Sequence, residues 1–185
     1  MINRASFFKG VRASFGKLNQ SQVEGFTAIL DQWEREGLED LRHLAYMFAT
    51  AWHETARTMQ AISEYGKGKG RKYGKIDPVT KKAYYGRGLV QLTWDYNYKK
   101  MGKLLNLDLY RRPELALDLG VATEIMFEGM LTRKSFQGDF TGKALENYFN
   151  KKVDDPVGAR RIINGTDKAQ LIAKHHAKFL AALKA

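Results

Sequence analysis

Between Leu38 and Glu54, apolar side chains recur at helical spacing and end on an acid. Leu38, Leu41, Leu44, Ala45, Met47, Phe48, Ala51 and Trp52 form one broad stripe. A stripe this wide commits the segment to a helix packed into a core. Glu54 lies seven residues after Met47 and three after Ala51, so it falls on the stripe side of that helix. Its carboxyl should therefore be partly buried.

The preceding segment carries its own helix pattern. Ser21-Gln22-Val23-Glu24 has capping-box spacing, and Val23, Phe26, Ile29, Leu30 and Trp33 keep helical intervals up to Gly37, which predicts a helix over 21–36. Helical spacing returns over 92–105, 114–133, 144–149, 156–163 and 168–183. By contrast, residues 66–82 are rich in glycine and lysine without apolar periodicity, and read as a mobile surface loop or short hairpin. With 185 residues, 44% hydrophobic content and no repeat or linker, the chain is expected to form one mainly α-helical domain over 1–185.

Composition removes several function classes. The chain has no cysteine, which excludes a disulfide scaffold and thiolate chemistry and fits folding in a reducing cytoplasm. The opening Met1-Ile2-Asn3-Arg4-Ala5-Ser6-Phe7-Phe8-Lys9 lacks the apolar run and cleavage site of a secretory leader. No apolar run approaches membrane-spanning length. A net charge of +11 draws the molecule toward polyanions: nucleic acid, anionic lipid headgroups or bacterial wall polymers. Charge alone does not choose among them.

Two motifs carry chemistry. His53-Glu54-Thr55 closes the striped helix. Some thirty residues later comes Tyr84-Tyr85-Gly86-Arg87-Gly88-Leu89-Val90-Gln91-Leu92-Thr93-Trp94-Asp95-Tyr96-Asn97-Tyr98. A lone carboxylate beside a segment dense in aromatics, amides and a hydroxyl is suited to gripping a sugar polymer and holding water. Cleaving a glycosidic bond needs a carboxylic acid that donates to the leaving oxygen and a second carboxylate that activates water. Glu54 suits the acid. Seen alone, it could simply end a helix and pair with Arg57 at i+3. Glu64, across a short connection and just before the basic loop, is placed ahead of Asp77 and Asp95 as the base, on the ground that the base should sit across the cleft, roughly 6.5–9.5 Å from the acid if the mechanism is inverting. Gly86 and Gly88 are expected to permit a tight turn.

Together these motifs resemble the signature of glycoside hydrolase family 19, which includes chitinases and many bacteriophage endolysins. Arg112-Pro113-Glu114-Leu115-Ala116 and Val157-Gly158-Ala159-Arg160-Arg161-Ile162-Ile163-Asn164-Gly165 extend the likeness from about residue 40 to the C-terminus. The resemblance implies a lysozyme-like helical fold, with a small loop or hairpin region beside the cleft and no separate wall-binding domain. It implies Glu54 as general acid, Glu64 as general base and Thr93 as the hydroxyl holding the attacking water. His53, Gln91, Tyr96, Asn97 and Asn164 are implied as substrate-binding. Neither metal nor organic cofactor is implied. Two positions depart from the chitinase pattern: Leu89 stands where proline is common, and Ala56-Arg57 where glycines are common. Both weigh against chitin more than against hydrolysis.

The leading expectation is a phage-type endolysin that cuts the β-1,4 bonds of peptidoglycan. It would act as a monomer, reside in the host bacterial cytoplasm before lysis and reach the periplasmic wall with the help of a holin. A chitinase is the nearest rival. A nucleic-acid-binding module is motivated by eight lysines and arginines between Lys67 and Arg87 against one acid, but no recognition element accompanies them, so no nucleic-acid partner is expected. A glycan-binding descendant without activity is a third reading. The C-terminal helix combines Leu171, Ile172, His175, Phe179, Leu180 and Leu183 with lysines; it could lie on an anionic outer membrane or simply cover the core. Metal and nucleophile motifs fail on spacing. Position 57 is arginine, not the second histidine of a zinc protease; His175 and His176 are adjacent and diverge on a helix; Gly66-x-Gly68-x-Gly70 lacks its flanking strand and helix; no Gly-x-Ser-x-Gly occurs.

Overall fold

Helix α1, Arg4–Phe15, opens a computed structural model that describes residues 2–133 and 138–185. Its N-cap Asn3 accepts from the Ser6 amide at 3.1 Å, satisfying one orphan donor of the first turn. Helix α2 spans Gln20–Arg35. The capping box lies two residues before the sequence expectation: Asn19 accepts from the Gln22 amide, and the Gln22 side chain accepts from the Asn19 amide. Helix α3, Leu41–Glu54, is capped by Asp40. Its stripe proves wider than its periodicity indicated, because every residue from His43 to Trp52 is buried. Such a helix occupies the centre of the domain.

The remaining helices are α4 (Asp95–Leu105), α5 (Leu119–Met130), α6 (Leu145–Tyr148) and α7 (Ala169–Leu183). Two expected helices are shorter or tighter than the spacing suggested. Residues 113–117 form a 3-10 turn, and Asp118 then caps α5 anew by accepting from the Val121 amide. Residues 158–162 likewise form a 3-10 turn. The 66–82 segment is a braced loop containing a 3-10 turn at Lys72–Gly74. A two-residue antiparallel pair frames it, β1 (Ile62–Ser63) with β2 (Arg87–Gly88), in register Ile62 to Gly88 and Ser63 to Arg87. The result is the mainly α, single-domain architecture expected from sequence.

An aromatic cluster joins α1, α2, α3 and α7. Phe48 on α3 stacks on Phe7 of α1 at 5.1 Å, meets Phe26 of α2 edge-on at 5.2 Å and lies 5.7 Å from Phe179 of α7. All four rings are fully buried, each contributing about 1.5–3 kcal/mol by burial. Helix α7 buries Ile172, His176, Phe179 and Leu183, with His176 against Tyr46 and Phe149, so its apolar face is already covered by the protein's own core. Of the two readings of this helix, the arrangement fits the one in which it covers the core.

Helix α2 presses closely on the chain leaving α3. A β-carbon on Gly25 would stand 1.8 Å from the Met59 carbonyl oxygen, a backbone atom that cannot swing aside. We expect Gly25→Ala to destabilise the domain by about 1–3 kcal/mol, read as a fall of several degrees in Tm. An unchanged Tm would contradict the close approach.

Burial pushes the His176 imidazole below its ordinary value; the residue is 4% exposed and stacks on Phe149 at 5.1 Å. Burial acts in the same direction on His53 and His175. Since the unfolded chain takes up these protons near pH ~6.5 and the folded chain only below that, stability should decline as pH falls through ~6.5. Thermal melts between about pH 7 and 5 should show a shallower decline in His176→Phe than in wild type. Equal slopes would remove His176 from this account.

Candidate active site

Glu54 is the last residue of α3, and its side chain is 15% exposed. Its partner is not Arg57 but Arg160, from the 3-10 turn at 158–162. Arg160 Nη1 stands 2.7 Å from Glu54 Oε1, and the Arg160 side chain is 1% exposed. The contact is a close ion pair rather than an aligned hydrogen bond. Arg160 is held in turn by donating from Nε to the Asp167 carbonyl at 2.8 Å. A buried guanidinium without its carboxylate would be strongly unfavourable, so the pair ties the end of α3 to the 158–167 segment.

The backbone after Glu54 is unusual. Ala56, Arg57 and Met59 have φ of 50°, 71° and 56°, the left-handed region that favours glycine. Ala56 and Arg57 are the positions at which the sequence departs from the glycine pattern, and the backbone keeps the glycine-like conformation regardless. Thr55 stabilises the reversal: its hydroxyl donates to the Ala51 carbonyl at 2.7 Å and accepts from the Met59 amide at 3.0 Å.

Glu54 faces a groove of about 400 Å³. One wall comes from the 90–97 segment, including Gln91, Thr93, Trp94, Tyr96 and Asn97, joined by Tyr73 from the basic loop; Phe140, Thr141, Ile163 and Asn164 form the other. Two non-glycine residues with left-handed backbones, Gln91 (φ 53°) and Trp94 (φ 74°), turn the chain between β2 and α4. Side chains pin that turn. Gln91 Nε2 donates to the Ile62 and Gly88 carbonyls, both at 3.1 Å, and Asn97 Nδ2 donates to the Thr93 carbonyl at 2.8 Å. The Thr93 hydroxyl donates to the Gln91 carbonyl at 2.7 Å, which leaves it only acceptor capacity toward water.

The aromatics divide between lip and support. Tyr96 is 58% exposed and stacks on Trp94 with 19° between planes, while Trp94 meets Tyr73 edge-on at 5.3 Å. These rings give the groove an apolar face of the kind a pyranose ring covers. Tyr84, Tyr98 and Arg87 serve the interior instead. Arg87 is 5% exposed, lies 3.6 Å above the Tyr85 ring, and donates to the Tyr98 hydroxyl and to the Tyr85 and Ala83 carbonyls. It is therefore not part of the exposed basic surface in which the sequence had counted it.

Glu64 follows β1 and stands just behind the Tyr73 wall. Its two oxygens accept from the Gly68 and Gly86 amides, the latter at 3.0 Å, and its charge together with burial pushes the Tyr73 phenol up, burial being the larger cause. Gly86 separates it from Gln91: a β-carbon there would come within 2.7 Å of Gln91 Oε1 and 3.0 Å of Glu64 Oε2. Close approach, rather than the expected tight turn, explains this glycine. Glu64 is not among the residues lining the groove itself. Of the other carboxylates weighed for the base, Asp77 is occupied by the Val79 and Thr80 amides and Asp95 by Lys99 at 3.0 Å.

Asn164 is exposed on the far wall, and the following Gly165 has φ 55°, so Asn164-Gly165 is both a turn and part of the groove lining. His53 points elsewhere. It lines a separate depression with Trp52, Ala56, Arg57, Leu171 and His175, since consecutive helix residues diverge by about 100°. Arg160, Tyr73, Phe140 and Thr141 are site residues that sequence reasoning did not single out.

A central buried helix ending in a paired acid, at the foot of a groove with aromatic and amide lips, defines a lysozyme-like helical fold. The fold matches chitinase C from Streptomyces griseus with a TM-score of 0.62 at 22% identity, covering 100% of this chain and 93% of that one. A bacterial family 19 chitinase matches with a TM-score of 0.61 at 21% identity, covering 98% and 94%. A family model described as chitinase class I of glycoside hydrolase family 19 matches residues 39–136, more than half of the sequence. The chain belongs to glycoside hydrolase family 19. Among curated relatives, an endochitinase of Arabidopsis thaliana is 42% identical over 79 residues, covering 40% of this chain and 29% of the relative. A basic endochitinase of Brassica napus is 39% identical over 80 residues, with the same two shares. The chain thus spans less than a third of the length of these two relatives. An inactive chitinase-like protein of Hevea brasiliensis is 56% identical over 34 residues, or 18% of this chain and 11% of that protein.

Proposed function

We propose that this protein hydrolyses β-1,4 bonds in a glycan built on N-acetylated sugars, and that its substrate is bacterial peptidoglycan, in the manner of a phage endolysin. The observation that carries the reading is Glu54, largely buried yet facing a groove with sugar-suited walls. With Oε1 turned to Arg160, a proton on the carboxyl belongs on Oε2, from which Glu54 donates to the leaving glycosidic oxygen. Glu64, oriented by two backbone amides, removes a proton from the attacking water. The Thr93 hydroxyl accepts a hydrogen bond from the other O–H of that water, which directs the water's lone pair toward the sugar. Tyr96, Asn97 and Asn164 hold the saccharide across the groove.

The net charge of +11 supports an anionic wall polymer as substrate, because a basic enzyme is drawn to it from solution. The second reading is chitin, favoured by the likeness to the endochitinases of Arabidopsis thaliana and Brassica napus. The likeness to an inactive relative makes an activity assay indispensable. Chloroform-treated Gram-negative cells and colloidal chitin, incubated separately with the protein, divide the readings: clearing of the cells supports peptidoglycan, and clearing of chitin alone overturns it. Binding to either polymer without release of reducing ends would exclude catalysis.

A further inference from the structure

Three of the most exposed large apolar side chains among the described residues fall within one short stretch: Tyr65 at 85%, Ile76 at 63% and Val79 at 79%. Exposed cations interleave with them: Lys67, Lys69, Arg71, Lys72, Lys75 and Lys81. The ion pair this loop makes among the described residues is that of Lys82 with Glu114, at 3.4 Å, which leaves those six cations unneutralised. The loop's single acid is turned to internal work. Asp77 Oδ1 accepts from the Val79 and Thr80 amides and the Thr80 hydroxyl, and Oδ2 from the Tyr110 hydroxyl.

The loop is also braced from within. The Asp77 amide donates to the Lys82 carbonyl at 2.8 Å, the Lys81 amide to the Asp77 carbonyl at 2.9 Å, and the Tyr84 amide to the Tyr73 carbonyl at 3.1 Å. A braced lobe that displays both apolar tips and unpaired cations needs a partner offering both chemistries. A soluble polyanion would answer the lysines and leave the three apolar chains in water; an apolar protein groove would leave the charges unanswered. An anionic bilayer offers phosphates at the headgroup level and hydrocarbon just beneath.

We propose that the 65–82 loop docks the protein on an anionic lipid surface, with Tyr65, Ile76 and Val79 entering the headgroup–acyl boundary and the surrounding lysines and Arg71 meeting lipid phosphates. The lobe begins one residue after Glu64 and supplies Tyr73 to the groove, so docking holds the groove at the face of the bilayer. Helix α7 offers no comparable surface: its apolar face is packed inward, and Leu171, 42% exposed, is the large apolar residue it shows to solvent. The inference holds whichever glycan is cut.

Co-sedimentation of the full chain with vesicles tests it. Wild type should pellet with phosphatidylglycerol–phosphatidylcholine vesicles and not with pure phosphatidylcholine. The triple variant Tyr65→Ser/Ile76→Ser/Val79→Ser should lower the bound fraction on the order of tenfold or more, as should Lys69→Gln/Arg71→Gln/Lys72→Gln. Both replace exposed side chains, and an unchanged Tm certifies their folding. Leu171→Ser should bind as wild type. Three results would overturn the proposal: no binding to phosphatidylglycerol vesicles, wild-type binding by the apolar triple variant, which reduces the lobe to a charge-only polyanion surface, or loss of binding in Leu171→Ser.

Discussion

Glu54→Gln should leave a folded protein that turns over glycan about 10²–10⁴ times more slowly, the usual consequence of deleting a positioned general acid. The amide is nearly isosteric and keeps an oxygen that can face Arg160, so the 2.7 Å contact survives in neutral–cation form. It has no proton to give the leaving oxygen. The effect should therefore fall on kcat, with KM little changed, because the groove walls from Gln91 to Asn97 and from Phe140 to Asn164 are untouched. Initial-rate measurements on a soluble oligosaccharide separate the two parameters. A variant with wild-type kcat would remove Glu54 from the chemistry, and a rise in KM alone would recast it as a binding residue.

Arg160→Ala is expected to have the largest effect on stability. The guanidinium is 1% exposed and supports two elements at once, Glu54 at the end of α3 and the Asp167 carbonyl before α7. Its removal leaves a largely buried carboxylate without its cation, an unpaired carbonyl and a cavity. Breaking a buried pair from one side costs about 3–5 kcal/mol. In a domain of this size that corresponds to a Tm lower by on the order of 10 °C. Arg160→Lys should fall between, since a lysine restores charge near Glu54 but cannot supply the second donor to Asp167. Differential scanning calorimetry distinguishes these outcomes. Equal Tm values for wild type and Arg160→Ala would mean that the pair does not fasten the 158–167 segment to the central helix.

Much of the architecture was readable because the long helices bury one face and show another. The 21–36 and 38–54 patterns mark α2 and α3 to within a few residues, and the C-terminal pattern marks α7. Helix α1 leaves a thin signature, an Asn3 cap and the two buried residues Phe7 and Val11, too little to mark an apolar stripe. The helix expected over 114–133 is divided because Asp118 starts a new one, and two-residue strands are too short to show any period.

The candidate site was legible in its types but not in its pairings. Glu54 is as buried as its place on the stripe required, yet its partner lies more than a hundred residues downstream, where local spacing carries no information. Gln91 and Asn97 could be marked as amides suited to sugars. Only the fold shows that both Gln91 donors go to the Ile62 and Gly88 carbonyls and one of the two Asn97 donors to the Thr93 carbonyl, leaving the oxygens and the second Asn97 donor for other contacts. Tyr73 sits within a glycine- and lysine-rich run whose composition hides a residue that joins Glu64 to the groove wall.

Mass spectrometry of the fragments released from purified peptidoglycan, by wild type and by Glu54→Gln at equal folded concentration, addresses the central claim most directly. The account predicts soluble muropeptides ending in hydrated reducing sugars from wild type, with almost none from the variant. Identical fragments from both proteins, or no cleavage of this polymer by wild type, would contradict it.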